Sequence, residues 1–169
     1  MKPNRILSKS QGQITQAQID FEPEIRALCW KNPFAAGMIA GKIETRNRPT
    51  NVRGFVLIVA TEKRYNNEQL FQITTHSLYL KMMEKMAKTF GCDENYSNGK
   101  AVGIAKLTDC RPMTPEDEEK TFVKYQPGKW CWIFEDVTPI IPFKLKGFQG
   151  WRILKESIKR QILINEPGR

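Results

Sequence analysis

Three charged residues at alternate positions are the part of this 169-residue sequence best placed to do chemistry. Lys42, Glu44 and Arg46 fall in the segment KIETR, whose mixed pattern predicts an exposed β-strand. Alternate side chains of a strand share one face, so we expect all three to point the same way. Lys42 or Arg46 can contact phosphate, and Glu44 can accept a hydrogen bond from a base amine. The row predicts a nucleotide reader, the alternative being a surface charge ladder worth about 0–1 kcal/mol per pair.

The overall charge points to the same class of ligand. Lys and Arg number 27 against 18 Asp and Glu, which gives a formal net charge of +9. Such an excess raises the local concentration of polyanions, nucleic acid first and a membrane surface second; the alternative is that it only keeps the protein soluble. No window approaches about 18 apolar residues, and the polar N-terminus lacks the apolar core of a signal peptide. We therefore expect a cytoplasmic protein without a membrane role.

Cysteine and histidine spacing argues against a metal site. Cys29, Cys92, Cys110 and Cys131 are scattered, none forms a CxxC, and His76 is the single histidine. A structural zinc normally needs paired ligands at short spacing, so we expect neither a metal nor another cofactor. The thiols are expected to be reduced and mostly buried. A nucleophilic pair between His76 and a distant cysteine remains an alternative.

One domain must position these residues. We expect a polar, loosely held arm over residues 1–22, one α+β domain over 23–164 and a frayed tail over 165–169. Apolar runs predict strands at 25–30, 55–61, 101–110 and from 130 to 134, and Pro139 and Pro142 flank two isoleucines before a glycine-bearing loop. Helices are predicted after Asn32, from Thr74 or Thr75 to residue 90, after the 114–117 capping box, and at helix-like spacing over 151–164.

Three segments in order resemble the ASCH family. The first is AAGMIAGKIETRNRPTNVRG (residues 35–54), similar to the family signature of a short helix, a Gly–Lys–Glu–Arg strand and a loop ending in Arg-Gly. The second is GKAVGIAKLTDCRPM (99–113), similar to a strand that ends in an Asp-Cys-Arg-Pro turn. The third is WIFEDVTPIIPFKLKGFQGW (132–151), which resembles the closing strand and its Lys-Gly-x-Gln-Gly loop.

The resemblance implies a small PUA-like β-barrel flanked by helices, with a cleft that binds single-stranded RNA or a modified nucleotide. The signature residues Lys42, Glu44 and Arg46 would line a basic cleft built from residues 42–53 and 144–151. The same resemblance adds further contacts: Arg53, Lys146, Gln149 and Trp151. Trp151, or Trp30 with Phe34, would stack on a base. The oligomeric state stays open.

A hydrolase using the same cleft is the alternative that the resemblance leaves open. One branch of the family resembles amidohydrolases that remove an acetyl group from modified cytidine with a lysine, a threonine and a glutamate. Lys42 matches that lysine, whereas Glu44 stands at the place of the threonine and Thr45 should face away. Glu135 and Asp136 are candidates for the third role. Lys42 and Glu44 are thus the catalytic candidates, in amidohydrolase or ribonuclease-like chemistry.

Two features favour binding over catalysis. The family signature has two residues between its lysine and glutamate, but here only Ile43 separates Lys42 from Glu44, and a one-residue slip reverses the face of a strand. Two neighbouring cations should also keep Glu44 ionised, which makes a carboxyl group a poor general acid. An adaptor with a basic face for an acidic protein is a third possibility.

Overall fold

A six-stranded mixed sheet organises the chain in the computed structural model, which describes residues 13–90 and 97–165. Its strands are β1 (Arg26–Trp30), β2 (Glu44–Arg46), β3 (Gly54–Ala60), β4 (Lys100–Pro112), β5 (Trp130–Lys144) and β6 (Arg152–Ile153). The helices are α1 (Gln16–Phe21), α2 (Phe34–Ile39), α3 (Asn67–Ile73), α4 (His76–Phe90), α5 (Glu118–Thr121) and α6 (Glu156–Lys159). A 3₁₀ turn (Pro115–Asp117) leads into α5.

The sheet runs in the order β2-β5-β4-β3-β1-β6. The β1–β3 pair is parallel and each other neighbouring pair is antiparallel. The sheet curls so that Arg46 on β2 reaches β1, where its Nη2 donates to the Cys29 carbonyl oxygen at 3.2 Å. The predicted α+β class is confirmed, and the curled sheet is consistent with a small PUA-like barrel that stays open between β2 and β6.

Both faces of the sheet are buried, which explains the unbroken apolar run of β3. Val56, Ile58 and Ala60 face a core under α2, α3 and α4, whereas Leu57 and Val59 face a second core. Alternate residues of a strand point to opposite faces, so a strand covered on both sides needs apolar residues throughout. The first core holds most of the aromatic residues that wall the cavity described below.

The N-terminal segment covers the second face of the sheet. Ile14 and Ile19 are each 1% exposed, and Thr15 forms a capping box with Gln18 at the start of α1. The prediction of a loosely held arm is therefore wrong for residues 13–22, because two isolated isoleucines suffice to anchor a capped helix on an uncovered sheet face. The rest of that arm, residues 1–12, lies outside the described residues.

The C-terminal third differs from the sequence prediction in two ways. β5 extends beyond the strand residues predicted over 130–134 and continues through Pro139 to Lys144, with Pro139 opposite Gly103 at a shift in the β4–β5 register. Such irregularities accommodate proline within a sheet because they interrupt the ladder. The helix-like spacing over 151–164 yields only β6 and the four-residue α6, and Ile164 pairs with Ile140. Of the predicted tail, residues 166–169 lie outside the described part.

Two other predicted helix starts are confirmed, and a third lies one residue later than predicted. Thr75 accepts from the Leu78 amide ahead of α4, and Thr114 forms its capping box with Asp117. Asn32 does accept from the Ala36 amide at 3.0 Å, but Pro33 occupies the N-cap position and α2 begins at Phe34. None of the helices within residues 13–90 and 97–165 is long and apolar enough to cross a membrane.

Candidate functional site

A cavity of about 550 Å³ opens beside α2, where the curl of the sheet brings β2 towards β1. Aromatic rings form much of its wall, namely Trp30, Phe34, Tyr65 and Phe148. Three charged side chains from β2 and from the residues just before it also line the cavity: Lys42, Glu44 and Arg46. The rings are held edge-on to neighbours, with Phe34 and Tyr65 centroids 5.7 Å apart at 79°. The volume lies within the range of roughly 300–1,000 Å³ typical of small-molecule sites.

A tight turn after α2 delivers Lys42 to this cavity. Gly41 has a φ of +100°, a left-handed conformation that glycine adopts without strain. The Lys42 amide then donates back to the Gly37 carbonyl oxygen at 3.0 Å. Gly37 also makes room for the lysine stem, because a Cβ there would lie 2.8 Å from Lys42 Cδ. The small residues of the sequence AAGMIAG therefore have a specific use: they let the lysine lie along the helix.

Lys42, Glu44 and Arg46 meet as the strand alternation predicts. Lys42 Nζ lies 3.1 Å from Glu44 Oε1, and Arg46 Nε lies 2.6 Å from Glu44 Oε2. The prediction of an exposed strand is wrong here, since Lys42 is 4% and Glu44 5% exposed. The reason is tertiary: α2 and the loop before α3 cover this side of β2. The row is therefore unlike a row of charges on an exposed strand, because removing each charged group from water costs several kcal/mol.

The environment shifts the pKa values of the buried pair in the same direction. Burial lowers the pKa of the Lys42 ammonium group, and the ion pair with Glu44 offsets part of that effect. For Glu44, burial acts to raise the pKa, but the charges and hydrogen bonds of Lys42 and Arg46 outweigh it and the pKa falls below its usual range. Glu44 is therefore a carboxylate at neutral pH and accepts hydrogen bonds without donating any.

Arg46 joins the ionic row to the aromatic wall. Its guanidinium carbon lies 5.4 Å from the ring centroids of both Trp30 and Trp132, a distance at which cations interact with aromatic faces. The Trp30 indole N–H is buried and has no hydrogen-bond partner within the described residues. An unpaired buried donor costs about 1–3 kcal/mol, so this wall keeps an unused polar group beside the cavity.

The structure brings together only part of the predicted binding set. Gln149 lies in the cavity lining with the ionic row, as do Trp30 and Phe34. Arg53 lies outside it and donates to the carbonyl oxygens of Thr50 and Val52 in its own loop. Lys146 is exposed and also lies outside the lining.

Trp151 does not line the cavity either. It stacks on Trp132, with ring centroids 5.7 Å apart and planes at 4°. The Trp132 indole N–H in turn donates to the Arg48 carbonyl oxygen at 2.9 Å. Trp151, which was predicted to stack on a base, thus stacks on Trp132. Of the rings predicted to stack on a base, Trp30 and Phe34 are the two that line the cavity.

Several lining residues have no signal in the sequence. Tyr65 lies in a polar loop, and Lys31 and Lys129 are isolated basic residues far apart in the chain, yet all three reach the cavity. Lys31 Nζ lies 5.3 Å from the Tyr65 ring centroid, and Lys129 Nζ donates to Asn47 Oδ1 at 3.3 Å. Burial and the nearby Glu44 charge raise the pKa of Tyr65. Only the folded chain brings these residues together.

The catalytic candidates Lys42 and Glu44 line the cavity, but most of the other residues considered for hydrolysis lie elsewhere. Glu135 and Asp136 lie outside the cavity lining, and Asp136 pairs with Lys106 at 3.4 Å. His76 lines a separate pocket of about 200 Å³ between α3 and α4. Thr45, which alternation predicts to face away, does contribute to the lining. Within residues 13–90 and 97–165, no cluster of three His, Cys, Asp or Glu side chains could hold a metal ion.

Comparison with known proteins yields little beyond architecture. No family model matches the sequence, and no curated protein matches it. Among solved structures, the chain is similar to a mutant of the ASCH protein ZmASCH from Zymomonas mobilis, with a TM-score of 0.48 and 13% sequence identity. The similarity covers 82% of this chain and 98% of that chain.

Proposed function

We propose that the protein binds single-stranded RNA or a nucleotide, with one base inserted into the 550 Å³ cavity. The observation that carries the proposal is the combination of aromatic walls with a buried, ordered row of charges. Aromatic rings such as Trp30 and Phe34 give any base a stacking surface, worth about 1–3 kcal/mol per base. The ionic row of Lys42, Glu44 and Arg46 supplies hydrogen bonds to the base edge.

The charge of the lining suits a phosphorylated ligand. Four cations (Lys31, Lys42, Arg46 and Lys129) and one carboxylate (Glu44) are among its residues. Lys31 and Lys129 are only partly buried and stand at positions where a phosphate could reach them from solvent. Together with the net charge of +9, these cations favour the capture of polyanions.

Recognition fits this site better than hydrolysis. Glu44 is held ionised between two cations, so it has no proton to give a leaving group. The lining contains neither a second carboxylate nor a histidine within the described part of the chain. Burial also raises the pKa of Tyr65, which leaves its phenol protonated at neutral pH and unsuited to act as a base. The groups present can bind and orient a base.

A matched pair of arginine variants tests the proposal. Arg46→Gln and Arg53→Gln each remove one cation from the predicted set, but only Arg46 lies in the cavity lining. Fluorescence anisotropy of a labelled single-stranded RNA should show binding that weakens with salt, and that weakens by about tenfold or more in Arg46→Gln. Arg53→Gln should change the affinity by no more than about threefold, the effect of one exposed phosphate contact.

The same titration separates the alternatives. Equal losses in the two arginine variants would mean that a diffuse basic surface binds the RNA and the cavity does not. Absence of RNA binding at low salt, together with absence of nucleotide binding, would overturn the proposal. The hypothesis of an adaptor whose basic face binds an acidic protein would then remain. Each sample is afterwards run on a denaturing gel, where shortened RNA would favour the hydrolase.

A further inference from the structure

The ionic row has a fixed order of hydrogen-bond donors and acceptors. Lys42 and Arg46 can only donate, and the ionised Glu44 between them can only accept. Amide and hydroxyl groups can rotate to offer either role, but these three cannot exchange theirs. The two ion pairs, at 3.1 and 2.6 Å, keep the groups in the order donor, acceptor, donor. A ligand that pairs with all three must present the opposite order.

Each member of the row keeps unused hydrogen-bonding capacity among the described residues. Glu44 accepts one bond on each oxygen, although a carboxylate has about four acceptor positions. Lys42 uses one of its three N–H groups, on Glu44. Arg46 uses Nε on Glu44 and one N–H of Nη2 on the Cys29 carbonyl oxygen, which leaves three of its five N–H groups. All three residues belong to the cavity lining.

We infer that the cavity selects uracil-type bases, whose edge presents a carbonyl, an N–H and a second carbonyl in that order. The inference rests on the proposed function, because it assigns the base to a site that is proposed to bind nucleotides. The ring N–H donates to Glu44, and the two flanking carbonyl oxygens accept from Lys42 and Arg46. The ring then lies among the aromatic side chains of the cavity lining, which include Trp30 and Phe34.

The other bases match the row less well. Cytosine turns an unprotonated ring nitrogen towards Glu44, so two lone pairs face each other. Adenine has the same defect and offers no carbonyl. Guanine matches a carbonyl and an N–H, but its amine then meets a cation that can only donate. A mismatch leaves a buried charged group without its partner, and sites built on hydrogen bonds discriminate strongly for that reason.

Ligand chemistry tests the inference without altering the protein. Isothermal titration calorimetry compares the 5′-monophosphates of uridine, cytidine, adenosine and guanosine with that of 3-methyluridine, in which a methyl group replaces the N–H. Uridine monophosphate should bind most tightly. The 3-methyl derivative and cytidine monophosphate should bind weaker by about tenfold or more. Equal binding of all four natural nucleotides would overturn the base assignment and keep the proposed function. Binding of none would overturn the base assignment, and together with absence of RNA binding in the anisotropy assay it would overturn the proposed function as well.

A protein variant gives a second, independent readout. Glu44→Gln introduces an N–H that can face the ring nitrogen of cytosine, so the uridine-to-cytidine affinity ratio should fall by about tenfold or more. Glu119→Gln is the control, since it breaks an exposed ion pair with Lys81 outside the cavity and should leave the ratio unchanged. An unchanged ratio in a folded Glu44→Gln protein would contradict the inference.

Discussion

Two carboxylates of this fold each pair with arginine, yet they are used differently. Asp117 receives four hydrogen bonds: two from Arg111, at 2.7 and 2.8 Å, and one each from the Thr114 amide and hydroxyl. Glu44 receives two, from Lys42 and Arg46. Both carboxylates are about equally buried, at 3% and 5% exposure.

The difference separates a carboxylate whose acceptor positions are filled from one that has acceptor positions left among the described residues. Asp117 fixes the turn between β4 and α5, and its acceptor positions are filled within the protein. Glu44 is desolvated but uses about half of its acceptor positions within the described part of the chain. Cys131 lies opposite Thr45 on β2 and Arg111 on β4. Its pKa is raised to about 11, first by burial and then by the Asp117 charge.

Removal of the buried acid should have the largest effect on stability. Glu44→Ala leaves the Lys42 ammonium buried without its partner, and the loss of one member of a buried pair costs about 3–5 kcal/mol. Urea denaturation followed by tryptophan fluorescence measures the free energy of unfolding. A cost below about 1 kcal/mol would mean that the row behaves as a surface ladder, and would remove the contrast with Asp117.

Removal of the saturated acid should cost less and leave binding intact. Asp117→Ala loses a turn cap and a bidentate arginine pair, but Arg111 is 38% exposed and can regain water. We expect a loss of about 1–3 kcal/mol in the free energy of unfolding. The RNA affinity of the folded variant should stay within about twofold of the unmodified protein, because Asp117 lies outside the cavity lining. A large loss of affinity would show that the two clusters are coupled.

Acid should weaken both clusters. Neighbouring cations and hydrogen bonds lower the pKa of both Glu44 and Asp117. A carboxyl group whose pKa is lower in the folded chain stabilises it fully above the unfolded value and loses that contribution as the pH falls through the folded value. The free energy of unfolding should therefore decrease below about pH 4.5, the ordinary value for glutamate.

Two amide variants show which carboxylate causes the loss of stability in acid. Glu44→Gln and Asp117→Asn should each flatten the decrease, because each removes a carboxylate whose pKa is lowered in the folded chain. Denaturation curves collected from about pH 3 to about pH 7 measure the slopes. Identical slopes in the unmodified protein and both variants would contradict the assigned pKa directions.

A change of shape without a change of charge should have the smallest effect on stability. Gly37→Ala places a methyl group 2.8 Å from Lys42 Cδ and pushes the lysine stem away from α2. Alanine favours a helix by about 1 kcal/mol over glycine, which offsets part of the clash. We expect near-normal stability but weaker RNA binding in the anisotropy assay. Ala36→Ser, a small change on the same buried helix, is the control, and equal binding in both variants would mean that the position of Lys42 does not matter.

The sequence predicts the elements of this fold well where local physics decides them. Continuous apolar residues give β3, a stripe at helical spacing gives α4, and the capping residues Thr75 and Thr114 mark where turns end. It fails at the C-terminus, where the spacing over 151–164 fits a helix but the residues instead cover the second sheet face. Apolar residues at helical spacing are weak evidence for a helix where the same segment can instead pair with an open strand edge.

The candidate site also depends partly on local sequence patterns and partly on tertiary packing. Alternation along KIETR determines that Lys42, Glu44 and Arg46 share a face, because a strand has a period of two. Whether that face is exposed depends on α2 and on the loop that carries Tyr65, and no local pattern encodes how distant segments pack. The same packing leaves Arg53 outside the cavity and brings in Lys31 and Lys129.

The chemical identity and order of the ionic row follow from residue types and strand geometry alone. The burial of the row, its aromatic walls and the acceptor positions that Glu44 leaves unused among the described residues depend on how the chain folds. Burial is a property of what lies across from a residue in space, and those neighbours come from segments far apart in the chain.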